Sequence, residues 1–267
     1  MSTRLDSALA ARGLARSRSH AATLIAEGLV SVDGRTVVKA SHPVPDDAVV
    51  IVAGADHYVS RAAHKLIAGL DAFSITVDGR SALDMGASTG GFTQVLRERG
   101  ARPVVAVDVG HGQLAPAVAA DEHVISVEGF NVRNLTPASL EAAAGWAFAP
   151  EVVTGDLSFI SLEYVLPAVV SVCSPDTDVV LLVKPQFEVG RTAVKGGLVT
   201  DPGLRADAVT GVLWAAWDAG LGTHGVIASP LVGTHGNQEY VVHLCVRVGD
   251  EGNPTQWIHT VDELAGA

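Results

Sequence analysis

Short apolar stretches separated by turn residues fill the first fifth of the chain. Apolar residues at helical spacing predict one helix that starts at Leu5 and a second that starts near Ser17 or Ser19, each ending at a glycine. An alternating stretch, LVSVDGRTVV, surrounds an Asp-Gly pair, which is typical of a two-residue β-hairpin turn. SHPVPDD predicts a loop, AVVIV a short strand and AGADHY a linker. We therefore predict a small α+β domain over residues 1–58.

The remaining residues, 59–267, alternate between helical stretches and short runs of β-branched residues. We predict strands at SALDM, PVVAVDVG, HVISV, EVVTGDL, DVVLLVKP, GVIAS and QEYVVHLCVRV, and helices at Ser60 to Phe73, from about Gly91, at LEYVLPAVVSVC and from about Pro202 to Gly220. This order predicts an α/β fold, a doubly wound, mostly parallel Rossmann-type sheet covered on both faces. The last two strands are joined only by a loop, PLVGTHGN, so we expect them to be antiparallel.

Composition adds that the chain can bury a sizeable core, since 48% of its 267 residues are hydrophobic and 18% are charged. Its two cysteines, Cys173 and Cys245, have no metal-like or CxxC spacing, and its ten histidines show no HExxH pattern. We therefore expect no metal site and a reducing compartment. Arginines interrupt the N-terminal apolar residues, and the longest apolar runs are of strand length. We expect a cytoplasmic protein, a monomer, with no membrane span.

Charge is distributed unevenly between the two parts. The net charge of −11 argues against a nucleic-acid partner. Residues 1–65, however, carry eight Lys or Arg and six Asp or Glu, a net charge of +2, so the remaining residues carry −13. Several arginines lie near the predicted junction of the two N-terminal helices. Such a cluster is typical of a surface that binds a phosphate backbone, and equally of a surface that is only exposed to solvent. From charge alone both interpretations stay open. The candidate RNA-binding residues of this part are Arg4, Arg12, Arg16, Arg18 and Arg35.

The sequence LDMGASTGGFTQVL predicts a strand, a glycine-rich turn and a helix, an arrangement that binds anionic groups. A dinucleotide fingerprint needs a glycine where Ser88 stands. This favours S-adenosylmethionine, although the loop alone leaves a dinucleotide open. Asp108, at the end of the next strand, would bind ribose hydroxyls in either case. The candidate cofactor-binding residues are Asp84, Gly86, Ala87, Ser88, Thr89, Gly90, Gly91, Phe92, Asp108 and Val109.

Charged residues also mark the carboxyl ends of the predicted strands, where open α/β sheets bind their ligands. VVTGD ends at Asp156 and VVLLV is followed by Lys184, while an antiparallel last strand brings its first residue, Glu239, to the same edge. Lys65, on the helix before the glycine-loop strand, can reach this edge as well. Each residue alone has a plain structural explanation, but together they predict a site of two lysines and two carboxylates beside the cofactor.

Such a set suits methyl transfer to a hydroxyl. Attack on a sulfonium methyl group needs an oriented nucleophile that loses a proton, and a lysine near a second lysine and partly desolvated can serve as the base. The sequence has neither the Asp/Asn-Pro-Pro-Tyr loop of amine methylases nor a Pro-Cys nucleophile for carbon methylation. We predict Lys184 as the base or orienting group, tuned by Lys65 and positioned by Asp156 and Glu239. Phe159 either stacks on a flipped base or packs in the core.

Two resemblances agree with this interpretation. The sequence RLDSALAARGLARSRSHAATLIAEGLVSVDGRTVVKAS resembles the S4 (S-four) RNA-binding domain, named after a ribosomal protein. The motifs SRAAHKL, LDMGASTGGFTQVL, DVGHGQL, DLSFISL, LLVKPQFEVGR and SPLVGTHGNQEY resemble the TlyA family of rRNA cytidine-2′-O-methyltransferases, within the FtsJ-like group. The second resemblance implies a class I methyltransferase fold, S-adenosylmethionine as cofactor, 16S and in many members 23S rRNA as substrates, and a Lys-Asp-Lys-Glu tetrad at Lys65, Asp156, Lys184 and Glu239.

Three other functions stay open from the sequence. The family's older label, hemolysin, predicts a membrane-active cytolysin, for which no amphipathic or spanning segment is visible. The acidic C-terminal part leaves room for a non-catalytic rRNA-binding or assembly factor, and the glycine loop for an NAD-linked oxidoreductase. The chain departs from the usual family motifs at His111, Pro116 and Ala120, and the last two changes predict a weaker RNA contact than relatives make.

Overall fold

The structure, a computed structural model, describes residues 2–15, 17–46, 48–52, 57–190, 194, 196–233 and 236–267. It divides into two compact units between His57 and Tyr58, beside the predicted domain boundary. Most of the predicted linker AGADHY, residues 53–56, lies outside the described residues. Each helix that the structure describes is too short or too polar to cross a membrane.

The first unit combines helices with short strands. In chain order its elements are β1 (Ser2–Arg4), α1 (Leu5–Ala11), α2 (Arg18–Ala26), β2 (Val30–Val32), β3 (Arg35–Thr36), β4 (Pro43–Pro45) and β5 (Val50–Val52). β2 pairs with both β3 and β5 in an antiparallel sheet, and β1 pairs with β4. Apolar residues of the helices and the sheet, among them Leu5, Leu9 and Ile25, form the unit's own core.

Local sequence explains these elements. Ser17 caps α2, as predicted, by accepting a hydrogen bond from the backbone N–H of His20 at 3.2 Å. The predicted hairpin joins β2 to β3, with Asp33 (φ 48°) and Gly34 (φ 78°) both in the left-handed region, as a type I′ turn requires. The prediction that SHPVPDD is all loop was wrong, because β4 lies within it. Its prolines are tolerated since a two-stranded ladder consists of edge strands.

The second unit is built around a seven-stranded sheet in the order β11-β12-β10-β9-β6-β7-β8. Its elements are α3 (Ala63–Ala72), β6 (Ala82–Met85), α4 (Gly91–Glu98), β7 (Val104–Val107), α5 (Pro116–Ala119), β8 (Val124–Val127), α6 (Pro137–Ala144), β9 (Val152–Gly155), α7 (Leu166–Val172), β10 (Asp178–Val183), α8 (Pro185–Glu188), α9 (Pro202–Ala219), β11 (Leu221–Ala228), β12 (Tyr240–Val246) and α10 (Ile258–Ala265). β6 to β10 are parallel, and β12 is antiparallel to β10 and β11. The predicted fold is confirmed.

Helices cover both faces of this sheet because side chains alternate along each strand. Leu83 and Met85 of β6 pack with α7 and α9 on one face, and Ala82 packs with α3 and α4 on the other. The chain runs from β6 through β7 to β8 and then returns to β9 on the other side of β6. This reversal leaves a crevice at the carboxyl ends of the strands, where sheets of this type bind ligands.

Candidate functional site

A cavity of about 580 Å³ opens at the carboxyl ends of β6, β7 and β9, a volume that suits a cofactor-sized ligand. It is lined by Gly86, Ser88, Asp108, Val109 and Gln113, by residues 130–133 and by residues 156–160. Four of the ten predicted cofactor-binding residues thus line this one cavity: Gly86, Ser88, Asp108 and Val109. The other members of that set do not line it: Asp84, Ala87, Thr89, Gly90, Gly91 and Phe92.

Backbone geometry explains the glycines that follow β6. Gly86 (φ 77°) and Gly90 (φ 95°) adopt the left-handed conformation, and Ser88 does so with φ 48°. A Cβ atom on Gly86 would lie 3.0 Å from Leu157 Cδ2 and 3.1 Å from the backbone oxygen of Asp156. Gly86 therefore contributes bare backbone to the cavity wall, held tightly against the loop that follows β9.

Asp108 connects two loops of the cavity. One of its carboxylate oxygens accepts a hydrogen bond from the backbone N–H of Ser88 at 2.8 Å, and the other accepts one from the N–H of Gly110 at 2.7 Å. A carboxylate offers about four acceptor sites, so positions remain for hydroxyls of a ligand. The geometry therefore fits the predicted ribose contact.

Asp84 lies beneath the glycine loop rather than in the cavity. Its carboxylate is fully buried and accepts hydrogen bonds from the hydroxyls of Thr93 at 2.6 Å and Thr154 at 3.0 Å. Burial, opposed by these hydroxyls, raises the pKa of Asp84 to about 6. The predicted direct contact of Asp84 with the ligand has no support in this geometry, because both oxygens are used to tie β6 to α4 and β9.

Lys65 and Glu239 form a buried ion pair, with Nζ and Oε2 2.5 Å apart. Lys65 lies on α3 and Glu239 directly before β12, 174 positions apart in the chain. Only 8% of Lys65 and 2% of Glu239 are exposed. Each charge therefore depends on the other, since an unpaired charge at this depth is costly.

Lys184 and Asp156 form a second pair, with Nζ and Oδ1 2.6 Å apart. Lys184 is 8% exposed and also donates a hydrogen bond to the hydroxyl of Ser158 at 2.8 Å. Asp156 lines the cavity. The register that pairs Val183 with Tyr240 puts Lys184, directly after β10, beside Glu239, directly before β12. Lys65 of α3 and the three residues selected from strand ends thus lie at one edge of the sheet, as two ion pairs.

Phe159 projects from the loop after β9. It is 91% exposed and has a φ of 65°, a strained conformation for a bulky residue. Its ring contacts that of Phe187, with 5.2 Å between the ring centres. The alternative that Phe159 packs in the core was wrong, because the side chain faces solvent beside the cavity that it lines.

Sequence reasoning missed two parts of the site. Asn131 and Arg133 line the cavity after β8, and the Arg133 guanidinium lies 5.3 Å from the ring centre of Tyr164. Their position just beyond a parallel strand was the available signal. Glu188 of α8 accepts hydrogen bonds from the hydroxyl of Ser161 at 2.6 Å and the N–H of Leu162 at 3.1 Å, and burial raises its pKa. It fastens the Phe159 loop to the helix that follows Lys184.

The arginines predicted to bind RNA are mostly engaged within the first unit. The Arg12 guanidinium donates to the backbone oxygens of residues 45, 46 and 48 at 2.7–3.0 Å. Arg4 and Arg18 both pair with Asp6, at 3.0 and 3.1 Å, and hold the pKa of that carboxyl well below its usual range. Arg35 is exposed on β3. Arg16 lies outside the described residues.

Known protein families match the two units separately. A family model described as FtsJ-like methyltransferase matches residues 58–245, and one described as S4 domain matches residues 3–50. A Mycobacterium tuberculosis protein named 16S/23S rRNA (cytidine-2′-O)-methyltransferase TlyA is 51% identical over 244 residues, which cover 90% of this chain and 89% of that protein.

Solved structures agree. One described as a hemolysin from Streptococcus thermophilus is 33% identical, with a TM-score of 0.76, and the match covers 99% of this chain and 96% of that one. For the fold alone, a protein described as an S-adenosylmethionine-dependent methyltransferase from Listeria monocytogenes matches 70% of this chain and 100% of its own, with a TM-score of 0.51 and 15% identity. On the strength of matches that span most of its length, this chain belongs to the FtsJ-like methyltransferase family and carries an S4 domain in its first unit.

Proposed function

We propose that this methyltransferase moves a methyl group from S-adenosylmethionine to the ribose 2′-hydroxyl of a cytidine in ribosomal RNA. The name of the Mycobacterium tuberculosis relative supports this substrate, and the S4 domain supports RNA binding. The observation that carries the proposal is the assembly of Lys65, Asp156, Lys184 and Glu239 as two ion pairs at the edge where the cavity opens. The match to the FtsJ-like methyltransferase family favours methyl transfer over a dinucleotide oxidoreductase.

The cavity wall fits the cofactor. Asp108 has acceptor positions left for ribose hydroxyls, the bare backbone of Gly86 allows close approach, and Ser88 and Val109 complete that wall. When bound, S-adenosylmethionine supplies a methyl group on a positively charged sulfur, which an oxygen nucleophile can displace. Asp84 lies beneath the glycine loop and holds it in place through hydrogen bonds with Thr93 and Thr154.

Lys184 is the residue that we assign to the 2′-hydroxyl. Its Nζ would hold the attacking oxygen in line with the methyl group that the bound cofactor supplies, and the proton lost by the hydroxyl would pass by way of Nζ to the carboxylate of Asp156, 2.6 Å away. Ser158 fixes the direction of the ammonium. The Lys65–Glu239 pair ties α3 to the position directly before β12, which the register places beside Lys184.

RNA contact is assigned to both units. In the first unit, Arg35 is exposed. The guanidinium groups of Arg4, Arg12 and Arg18 are already paired within the S4 domain, which they stabilise, so only their free faces can contact RNA. In the second, Phe159 is exposed at the mouth of the cavity, where it can stack on a base that has been turned out of the RNA.

The experiment that tests the proposal locates the methyl group. Ribosomal subunits that lack the modification are incubated with the protein and tritiated S-adenosylmethionine, and the RNA is then hydrolysed with alkali. Because a 2′-O-methyl group blocks alkaline cleavage, we expect the label in a dinucleotide that begins with cytidine. Subunits that already carry the modification serve as the control and accept no label. Label in mononucleotides would contradict the proposal, and subunit binding without any label would favour an assembly factor.

A further inference from the structure

A second cluster of titratable side chains lies at the opposite end of the sheet. Asp178 is the first residue of β10, and His243 and Cys245 belong to β12. The register places Asp178 directly opposite Cys245, and residues two apart on a strand face the same side. All three side chains therefore meet on one face of the β10–β12 pair. Among the residues that the structure describes, no other group of His, Cys, Asp or Glu side chains has this ligand spacing.

The three ligand atoms are spaced nearly as a metal ion needs them. His243 Nε2 lies 2.7 Å from Asp178 Oδ1, while Cys245 Sγ lies 3.4 Å from that Nε2 and 3.8 Å from that Oδ1. Ligands of a tetrahedral ion with metal–ligand distances near 2.0–2.3 Å stand about 3.3–3.6 Å apart. A rotation that separates the imidazole and carboxylate by roughly half an ångström completes the geometry.

Neighbouring residues orient these ligands. Phe73 stacks on the His243 ring with 5.5 Å between the ring centres, and Arg80 binds the other oxygen of Asp178, Oδ2, at 2.7 Å. Arg80 lowers the negative charge of the cluster but leaves Oδ1 to face His243. Outer contacts of this kind to a ligating carboxylate are typical of metal sites. On β11, the partners of Cys245 and His243 are Gly222 and Gly225, so no β11 side chain covers the ligands at these two positions. The Phe73 ring packs against Gly225 instead, and the backbone of Glu251 against Gly222.

A fourth ligand is available next to the cluster. The register of β11 and β12 shifts between Thr223 and Gly225, and His224 is the extra residue of this bulge. Its side chain is exposed, and the centre of its ring lies 5.7 Å from the centre of the His243 ring. Bulges often re-aim a side chain towards a functional position. His224 or a water molecule would complete four-coordination.

We propose that Asp178, His243 and Cys245, with His224 or water, bind Zn²⁺. A thiolate, an imidazole and a carboxylate together select zinc over magnesium or calcium, which prefer oxygen ligands. β10 has six residues, so the site lies about 20 Å along the strand from Lys184 and takes no part in methyl transfer. The ion joins β10 to β12, and through His224 to β11, and so stabilises the sheet. The sequence prediction of no metal site overlooked His243-x-Cys245, because a pair two residues apart on a strand is not a familiar motif.

Cobalt tests the ligand set directly. The full-length protein is treated with a chelator, freed of it and titrated with Co²⁺, and we expect a thiolate-to-cobalt absorption band in the near ultraviolet. Cys245→Ser should abolish the band and lower the affinity for Zn²⁺, measured by competition with Co²⁺, on the order of 100-fold or more. Cys173→Ser, which changes the other cysteine, should leave the band and the Zn²⁺ affinity unchanged. A band that persists in Cys245→Ser, or no band in the wild-type protein, would overturn the proposal.

Thermal unfolding gives a second readout that does not depend on the thiol spectrum. Zn²⁺ at about one hundred times its Kd should raise the Tm of the wild-type protein by roughly 5–10 °C. His243→Gln should lose this shift, and His224→Ala should reduce it if the imidazole is the fourth ligand and keep it if water is. A folded His243→Gln variant, judged by circular dichroism, that still shows the full shift would overturn the assignment.

Discussion

β10 and β12 lie side by side and carry titratable side chains at both ends. At the cavity end, Lys184 follows β10 and Glu239 precedes β12, and each is paired with a residue of opposite charge. At the far end, Asp178 begins β10 and faces His243 and Cys245 of β12. One pair of strands thus holds ammonium–carboxylate pairs at one end and a carboxylate, an imidazole and a thiol at the other.

The two ends differ in the ligand that each can accept. Ammonium groups suit an anionic substrate whose hydroxyl loses a proton, whereas the oxygen, nitrogen and sulfur atoms at the far end suit a cation. Since sites well separated in space act nearly independently on stability, a change at one end should leave the other intact. Each of the following changes tests that separation or the roles at the cavity end.

The largest effect is expected from breaking the Lys65–Glu239 pair. Lys65→Met leaves the Glu239 carboxylate buried without a partner, which should lower the free energy of unfolding by about 3–5 kcal/mol. Chemical denaturation measures this loss. The cobalt spectrum at the far end should not change.

A double variant separates stability from function at this pair. Lys65→Met with Glu239→Leu replaces both charges by apolar groups and should recover most of the lost stability, because hydrophobic replacements of buried pairs are often neutral. Methyl transfer should stay impaired. Recovery of both would show that the pair is only structural and would remove it from the reaction.

The next largest effect concerns pH. Burial raises the pKa of Asp84 to about 6, whereas for Asp178 hydrogen bonds with His243 and Arg80 outweigh burial and lower the pKa. Between the unfolded value near 3.8 and about 6, the folded chain keeps a proton on Asp84 that the unfolded chain has released. The free energy of unfolding should therefore fall by roughly 3 kcal/mol as the pH rises through this window.

Asp84→Asn should remove the Asp84 contribution to that pH dependence, because the amide does not titrate, and leave the contribution of Glu188, whose pKa burial also raises. Denaturation curves collected across the window compare the variant with the wild-type protein. Asp178→Asn serves as the control, since its carboxyl titrates below the window, and it should keep the slope. A wild-type stability that does not change between these pH values would contradict the raised pKa.

A smaller effect is expected from the exposed ring of Phe159. Stacking of a base on an aromatic side chain contributes about 1–3 kcal/mol, so Phe159→Ala should raise the KM for ribosomal subunits by roughly 5- to 100-fold. Affinity for the cofactor should not change, and Phe159→Trp should preserve the wild-type KM. Equal KM values for the alanine variant and the wild-type protein would rule out the stacking role.

The smallest effect should come from Ser158, which accepts a hydrogen bond from Lys184 at 2.8 Å. Ser158→Ala leaves the Asp156 contact in place, so single-turnover methyl transfer should slow by only about 2- to 10-fold. A loss as large as that of a lysine variant would move the central role from Lys184 to Ser158.

Much of this site could be predicted because topology brings distant residues together. Parallel strands end at one edge, so Asp156 and Lys184 had to be neighbours, and the antiparallel last strand placed Glu239 beside them. Hydrophobic periodicity and turn residues likewise predicted the strands of the large sheet and the hairpin at Asp33-Gly34. They did not predict β4 or the helices α5, α6, α8 and α10.

What the sequence could not provide is the direction of individual side chains. Asp84 stands in a cofactor-like motif yet points towards Thr93 and Thr154, which depends on packing across three elements. Arg12 contributes to the positive charge that suggested RNA binding, but its guanidinium donates hydrogen bonds to backbone oxygens of residues more than thirty positions away in the chain. Neither outcome follows from local pattern or net charge.

The central claim is that Lys184 acts on the attacking hydroxyl, and Lys184→Ala tests it most directly. With saturating cofactor and ribosomal subunits, single-turnover methyl transfer should fall by about 10²- to 10⁴-fold, while the Kd for S-adenosylmethionine stays close to the wild-type value because Lys184 does not line the cavity. Methyl transfer by Lys184→Ala at the wild-type rate would contradict the account.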